Sequence, residues 1–249
     1  MLRAVIFDMD ETLIDWSRRE GEWADVSREH LRPIYDYLKS EGYRLPALDE
    51  VVRIYGDRTR EAWNAMNPPH WECPPQFSVL HQVFADLGLN LDELDLRRLD
   101  GLFAWDAIPG VRPFEDTMEV LHTLRSAGLR TGLLTNAMMP MRMRDAELRA
   151  YGLLDYLDVR LTAGDIGKFK PHPEVFRVIL QRLDVPPINA VFVGDSLQHD
   201  VAGAQAVGMR AIWVRRADAV LTDSIRPNAV VDTLSGILKV LDFWYPGWR

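Results

Sequence analysis

The sequence predicts an α/β fold, a Rossmann-like doubly wound parallel sheet with a second, smaller all-helical domain. Three observations carry this prediction. Short β-branched runs recur without polar alternation, segments of helical period separate most of them, and one long stretch holds helices but no convincing strand.

Ala4 to Phe7, Arg130 to Leu134, Ala190 to Val193 and Arg210 to Val214 read as strands buried on both faces. Leu157 to Leu161 is a weaker fifth. A helix is predicted from about Asp116 to Ala127, with Met118, Leu121 and Leu124 inward and Gly128 ending it in a left-handed cap. Another opens at Glu174, where Phe176, Ile179, Leu180 and Leu183 fall on one face. Strand, helix, strand in repetition implies crossover connections and a parallel sheet between helices. Residues 16–106 differ. They read as helices broken at Gly42, Leu45-Pro46, Asn67-Pro68-Pro69 and Pro74-Pro75, with Pro33 kinking or splitting the first. The expected division is a core of residues 1–15 and 107–249 and a helical cap of residues 16–106. The return hinge is expected at Ala107-Ile108-Pro109-Gly110.

A formal net charge of −8 works against general binding to nucleic acid, which needs a positive field. Cys73 is the single cysteine, so no intrachain disulfide can form. No apolar run reaches membrane-spanning length, and no cleavable leader pattern precedes Ala4. Together these predict a cytoplasmic protein without membrane or nucleic-acid partners; the oligomeric state is left open.

Ligands of open parallel sheets bind beyond the carboxyl ends of the strands. There the sequence places Asp8-Met9-Asp10-Glu11-Thr12, then Thr135-Asn136, then Gly194-Asp195-Ser196 with Asp200 five residues past Asp195. Gly167-Lys168-Phe169-Lys170-Pro171 lies between the last two. Carboxylates, a hydroxyl and at least one lysine thus converge on one edge. Crowded carboxylates repel unless a cation joins them. Mg²⁺, a hard ion that takes one or two carboxylates, waters and a phosphate oxygen, suits the set. The lysine adds positive charge and hydrogen-bond donors for an anionic group.

Asp8-x-Asp10-x-Thr12, Thr135, Lys170-Pro171 and Gly194-Asp195-Ser196-x-x-x-Asp200 resemble the four motifs of the haloacid dehalogenase-like hydrolase superfamily, in its order and across nearly the whole core. The resemblance implies a Mg²⁺-dependent phosphatase acting on a small phosphorylated metabolite through an aspartyl-phosphate. It makes Asp8 the nucleophile, and Asp10 the acid and then the base, with its main-chain carbonyl on the metal. Asp195 completes the metal ligands, and Asp200 holds a metal-bound water or the lysine. Thr135 and the Asn136 amide would bind phosphate oxygens, and Lys170, followed by the family's proline, would pair with Asp8 and the phosphoryl group. Lys168 reads as a solvated loop charge. True dehalogenases lack an acid at the position of Asp10, since a halide leaves without a proton. Glu11 replaces a common glycine at a position that points away from the phosphate, so altered packing is expected there. The helical insert resembles a cap that closes over the site.

Two other readings stand beside this one. A phosphomutase similar to β-phosphoglucomutase uses the same scaffold. A phospho-accepting receiver module gathers acids, a hydroxyl and a lysine too, but has adjacent acids and no helical insert. The six histidines show no paired zinc-ligand spacing, and His199 reads as solvent-facing. Trp16, Trp23, Trp63, Trp71 and Trp105 read mostly as helix-packing residues, and Arg18, Arg19 and Arg60 as exposed helix arginines that could reach a second anion. The aromatic tail from Phe243 to Arg249 could pack on the core or form a subunit contact.

Overall fold

A strand with neighbours on both edges and helices on both faces has no place for polar side chains, and Ala4, Val5, Ile6 and Phe7 are all fully buried. In the computed structural model, which describes residues 1–64, 70–216 and 224–249, these residues form β1 (Ala4–Phe7). The chain continues through β2 (Ile14–Asp15) into helices α1 (Trp23–Ser40), α2 (Leu48–Asn64), α3 (Gln76–Asp86) and α4 (Leu96–Leu102). It returns through β3 (Arg112–Pro113) and then runs α5 (Thr117–Ser126), β4 (Arg130–Thr135), α6 (Met141–Ala150), β5 (Val159–Thr162) and α7 (Ala163–Ile166). The last elements are α8 (Pro173–Leu183), β6 (Ala190–Gly194), α9 (Ala202–Ala206), β7 (Arg210–Val214), β8 (Ala229–Val231) and α10 (Gly236–Trp244).

Six strands form one parallel sheet in the order β5-β4-β1-β6-β7-β8. Alternate residues of β1 feed opposite layers. Val5 and Phe7 pack with Val120, Leu121, Leu124 and Ile237, whereas Ala4 and Ile6 pack with Phe176, Ile179 and Leu180. The register sets Phe7 beside Leu133 and Val193, so the carboxyl ends of β1, β4 and β6 finish abreast.

The expected strands are present, with the weakest moved to Val159–Thr162, because Leu154–Tyr156 turns as a 3₁₀ helix just before it. Strand β8 lay below recognition: it has only three residues, and Val230 is exposed at the sheet's edge. Met118, expected inward, is exposed; Thr117, Val120, Leu121 and Leu124 form the buried face of α5. Gly128 takes φ +73° just past that helix, in the left-handed conformation a cap requires. The aromatic tail turns back on the core, where Trp244, Tyr245 and Trp248 pack while Phe243 stays exposed.

Helices α1 to α4 bury a second cluster that includes Leu31, Ile34, Val52, Leu80, Val83 and Leu99, and Met143 of α6 joins it. Helix α1 is not split. Pro33 lies inside it, and the buried face of Val26, His30, Leu31, Ile34 and Leu38 offsets the backbone bond that proline removes. The Asn67-Pro68-Pro69 break lies outside the described residues. Chain exit and return are tied together. β2 pairs antiparallel with β3, and Glu20 N–H donates to the Pro109 carbonyl at 2.9 Å. Gly110 is required at this crossing: at φ +80°, a Cβ there would lie 2.0 Å from the Arg18 carbonyl oxygen.

His30 sits in the helical cluster with its ring 4.4 Å from that of Trp105. Burial lowers its pKa from 6.5 to about 4. Between those values the unfolded chain binds a proton that the fold does not, so stability is complete above pH 6.5 and is lost as pH falls towards 4. Replacing His30 by Gln should therefore flatten the acid side of the stability curve. Between pH 7 and 5.5 the native chain should lose about 1 kcal/mol more than the variant, measured by urea unfolding at each pH. Equal losses would show that the folded imidazole takes up its proton normally.

Candidate active site

Asp8 leaves β1 still bound to the sheet, its N–H donating to the Val193 carbonyl at 2.9 Å. The chain then folds tightly over Met9, whose carbonyl accepts from Leu13 N–H at 2.9 Å and Ile14 N–H at 3.1 Å. Glu11 adopts φ +59° in this turn, a conformation that favours glycine. Its carboxylate accepts from Trp16 N–H at 3.1 Å, and the residue borders the neighbouring cavity, which neither Asp8 nor Lys170 lines.

Lys170 reaches the same point from the loop before α8. Asn136, at the end of β4, clamps its backbone: Lys170 N–H donates to the Asn136 side-chain oxygen at 2.7 Å, and the Asn136 amide donates to the Lys170 carbonyl at 3.2 Å. The buried ammonium then lies 2.6 Å from Asp8 Oδ1 and 2.7 Å from Asp200 Oδ1. Burial pulls its pKa down, but Asp200 and Asp8 reverse this and raise it, so the charge is retained. Lys168 does not join the group; it pairs with Glu72.

The loop after β6 supplies the remaining acids. Trp213 Nε1 donates to the Asp195 carbonyl at 2.7 Å, and Ser196 N–H donates to Asp200 Oδ2 at 3.0 Å. Residues Leu197–Val201 form one wide π turn that brings Asp200 back beneath β6. Gly194 makes room for it, since a Cβ there would lie 2.3 Å from Asp200 Oδ2. His199, expected to face solvent, is instead half-buried, edge-on to Trp71 and within hydrogen-bond distance of the Ser196 hydroxyl.

Carboxylate oxygens of Asp8, Asp195 and Asp200 lie within 4.8 Å of one another. Burial pushes Asp8 well above its ordinary range, and although Lys170 opposes this, Asp200, Asp195 and Asp10 add to it. Asp195 is pushed up to about 7, first by burial and then by Asp200. One ammonium among three acids leaves an excess of negative charge that favours a further cation. An all-oxygen donor set of this kind fits Mg²⁺.

The Asp10 carboxylate faces away from that cluster. Arg144 Nη2 donates to it at 2.7 Å, Trp16 Nε1 at 2.9 Å and the Thr135 hydroxyl at 3.1 Å. Burial raises its pKa, but Arg144, Trp16 and Thr135 more than reverse this, and the group is held ionised. Arg144 was not foreseen. It is buried on α6, 2.7 Å from Glu147 one turn on, and Trp105 Nε1 donates to Glu147 at 2.5 Å. The only trace in the sequence is an i,i+3 Arg–Glu spacing, which surface helices also show.

A cavity of about 610 Å³ opens beside Asp10 and Asn136, between the strand ends and helices α1 to α3. Trp16, Trp23, Trp63 and Trp105, expected to serve mostly in helix packing, all line it. Trp71 does not; it packs near Cys73 and Phe169. Arg60 lies at the cavity and pairs with Asp57 at 2.9 Å, Arg19 covers the Trp23 ring at 4.9 Å, and Arg18 is exposed.

The sequence profile of haloacid dehalogenase-like hydrolases matches residues 2–208. The chain is 29% identical over 223 residues to glyceraldehyde 3-phosphate phosphatase of Methanopyrus kandleri, covering 87% of this chain and 85% of that one. It is 34% identical to haloacid dehalogenase-like hydrolase domain-containing protein 3 of Mus musculus, covering 97% and 94%. Among solved structures, the 2-haloacid dehalogenase from Pseudomonas syringae pv. Tomato DC3000 superposes with a TM-score of 0.64 at 28% identity, covering 98% of this chain and all of that one.

The cluster makes a prediction that needs no substrate. Adding Mg²⁺ to chelator-treated protein should raise the melting temperature, by about 2–4 °C for each kcal/mol of binding linkage. Asp195→Asn should remove most of the rise. Equal melting temperatures with and without Mg²⁺ in the native chain would show that these acids do not share the ion.

Proposed function

Since this chain belongs to the haloacid dehalogenase-like hydrolase family, we propose that it is a Mg²⁺-dependent phosphatase that hydrolyses a phosphate monoester through an aspartyl-phosphate on Asp8. The observation that carries this reading is the 2.6 Å contact between Asp8 and the Lys170 ammonium, with a second acid at Asp10 on the next turn. The Methanopyrus relative's name supports phosphate-ester chemistry. The Pseudomonas structure is named for dehalogenation. Asp10 separates the two: a halide departs as a stable anion, whereas an alkoxide needs a proton.

In the proposed reaction an Asp8 carboxylate oxygen forms a bond to phosphorus as the ester P–O bond breaks, and a proton from Asp10 passes to the departing alkoxide. Water then attacks the phosphorus of the aspartyl-phosphate. Asp10 accepts the water's proton, the P–O bond to Asp8 breaks, and inorganic phosphate leaves. Lys170 stabilises charge on the phosphoryl group and on Asp8. The Thr135 hydroxyl, which donates to Asp10 at 3.1 Å here, and the Asn136 main-chain amide would turn to phosphoryl oxygens when substrate is bound. Asp8, Asp195 and the Asp10 main-chain carbonyl would hold Mg²⁺, with Asp200 bearing on a bound water or on Lys170. That ion supplies Lewis-acid neutralisation of the dianion.

Asp10 is the member most constrained by its surroundings. In the arrangement seen, Arg144 holds it as a carboxylate, the form required of the base in the second step. The acid role requires a proton to be loaded first. We take residues 1–15 and 107–249 as the catalytic core and residues 16–106 as a cap over the site. The apolar cluster formed mainly by α1 to α4 and the β2–β3 crossing support that division. The single, buried cysteine is in keeping with a cytoplasmic location.

Asp8→Asn should abolish turnover of para-nitrophenyl phosphate while leaving the far-UV circular dichroism unchanged; retained turnover would remove the nucleophile assignment. Asp10→Asn should slow alkyl phosphates by about 10²–10⁴-fold and phenyl phosphates less, because a phenolate departs more readily without a proton. Equal slowing of both classes would exclude the acid role.

A further inference from the structure

The cavity beside Asp10 is unlike the acidic cluster that it adjoins. Its walls carry Trp16, Trp23, Trp63, Trp105, Tyr55 and His30, and neither Asp8 nor Lys170 lines it. It meets the reacting centre at Asp10, the group assigned to protonate the leaving oxygen. A phosphoryl group seated on Asp8 and Lys170 would therefore direct its ester substituent into this aromatic chamber.

Each arginine in the chamber's wall has an acidic partner. Arg144, at its base, is held by Asp10 and Glu147. Arg60, at its edge, is largely exposed and bonded to Asp57. His30 stays neutral at physiological pH because burial lowers it to about 4. Besides the acids Asp10 and Glu11, the other polar groups are neutral: the Tyr55 hydroxyl accepts from Gln76 at 2.7 Å, and Ser27, Thr59 and Asn136 add amide or hydroxyl groups. Among the described residues, no cation in the wall is left to receive a second phosphate or a carboxylate.

Aromatic surface is the chamber's main unmet feature. Trp16 and Trp23 stack at 5.5 Å, yet Trp23 remains 51% exposed, and Trp63 37%. Indole surface left partly exposed at the rim of an apolar cavity gains most from a flat, apolar ligand. About 610 Å³ is several times the room that a three-carbon polyol needs.

We propose that the ester hydrolysed here carries a bulky, uncharged, ring-bearing leaving group that is received between the tryptophans of this cavity. This rests on the phosphatase reading of Asp8 and narrows it: substrates with a second anionic group, whether bisphosphates or phosphorylated carboxylic acids, are disfavoured.

The test uses esters whose alcohols are similarly acidic, so that only binding differs: ethyl phosphate, 2-phenylethyl phosphate and 2-(1-naphthyl)ethyl phosphate with Mg²⁺. The expected result is a rise in kcat/KM of about 100-fold across the series, with glycerol 3-phosphate and phosphoglycolate no better than the ethyl ester. Trp63→Ala should lower the naphthyl-to-ethyl ratio by about tenfold. A flat series, or a preference for phosphoglycolate or a sugar bisphosphate, overturns the proposal. Binding of 2-(1-naphthyl)ethanol, followed by tryptophan fluorescence, separates the two layers of inference. If no ester turns over but the alcohol binds and glycerol does not, the phosphatase reading fails and the cavity assignment stands. If esters turn over without preference and the alcohol does not bind, the reverse holds.

Discussion

The carboxyl end of the sheet is organised by one buried ammonium. Lys170 is only 2% exposed, and an uncompensated charge at that depth would cost several kcal/mol. Its contacts with Asp8, 162 residues away in sequence, and with Asp200, 30 residues away, supply the compensation. Compensation overshoots, because Asp195 brings a third carboxylate within reach. The resulting deficit of positive charge explains why burial and mutual repulsion push Asp8 and Asp195 up in pKa. It also creates the demand that a divalent ion and the phosphate it carries would meet. An acidic chain can in this way present a site suited to an anion.

Everything else at that end serves to place the ammonium and its partners. The parallel register ends β1, β4 and β6 level, so that Asp8, Thr135 and Asp195 leave the sheet side by side. Asn136 fixes the Lys170 backbone at both its N–H and its carbonyl, and Asp8 and Asp200 hold the ammonium at the other end. Gly194 is where the fold yields sterically, admitting Asp200 to a position that any side chain would occupy. Tight turns thus do at the strand ends what hydrophobic packing does beneath them.

Much of this was legible in the sequence because it depends on short-range chemistry. Apolar runs such as Ala190 to Val193 can only be buried strands, and acids directly after such runs can only emerge at a sheet edge. What escaped depends on tertiary position. Arg144 is one of three arginines in α6, and nothing local distinguishes it from Arg142 or Arg149. Trp16, Trp71 and Trp105 do pack against buried clusters, but aromatic content does not reveal that a packed ring can also border a cavity, as Trp16 and Trp105 do. Pro33 would break an isolated helix, but a five-residue buried face holds α1 through it. Met118 was misplaced because a helix of ten residues fits more than one apolar phase, and Val120 took the inward position.

Asp10 stands at the border between two electrostatic environments, and its bonds come from both of the segments that join the helical block to the sheet. Trp16, just past β2, donates to it directly. Trp105, shortly before β3, reaches it through Glu147 and Arg144. Any displacement of the helices relative to the sheet would have to alter one or both of these links. In the proposed reaction the same carboxylate must first release a proton and later recover one, which a fixed partner such as Arg144 opposes in the first step and favours in the second. The Asp10 carboxylate is thus tied to both connecting segments of the helical block, whose helices also wall the adjoining cavity.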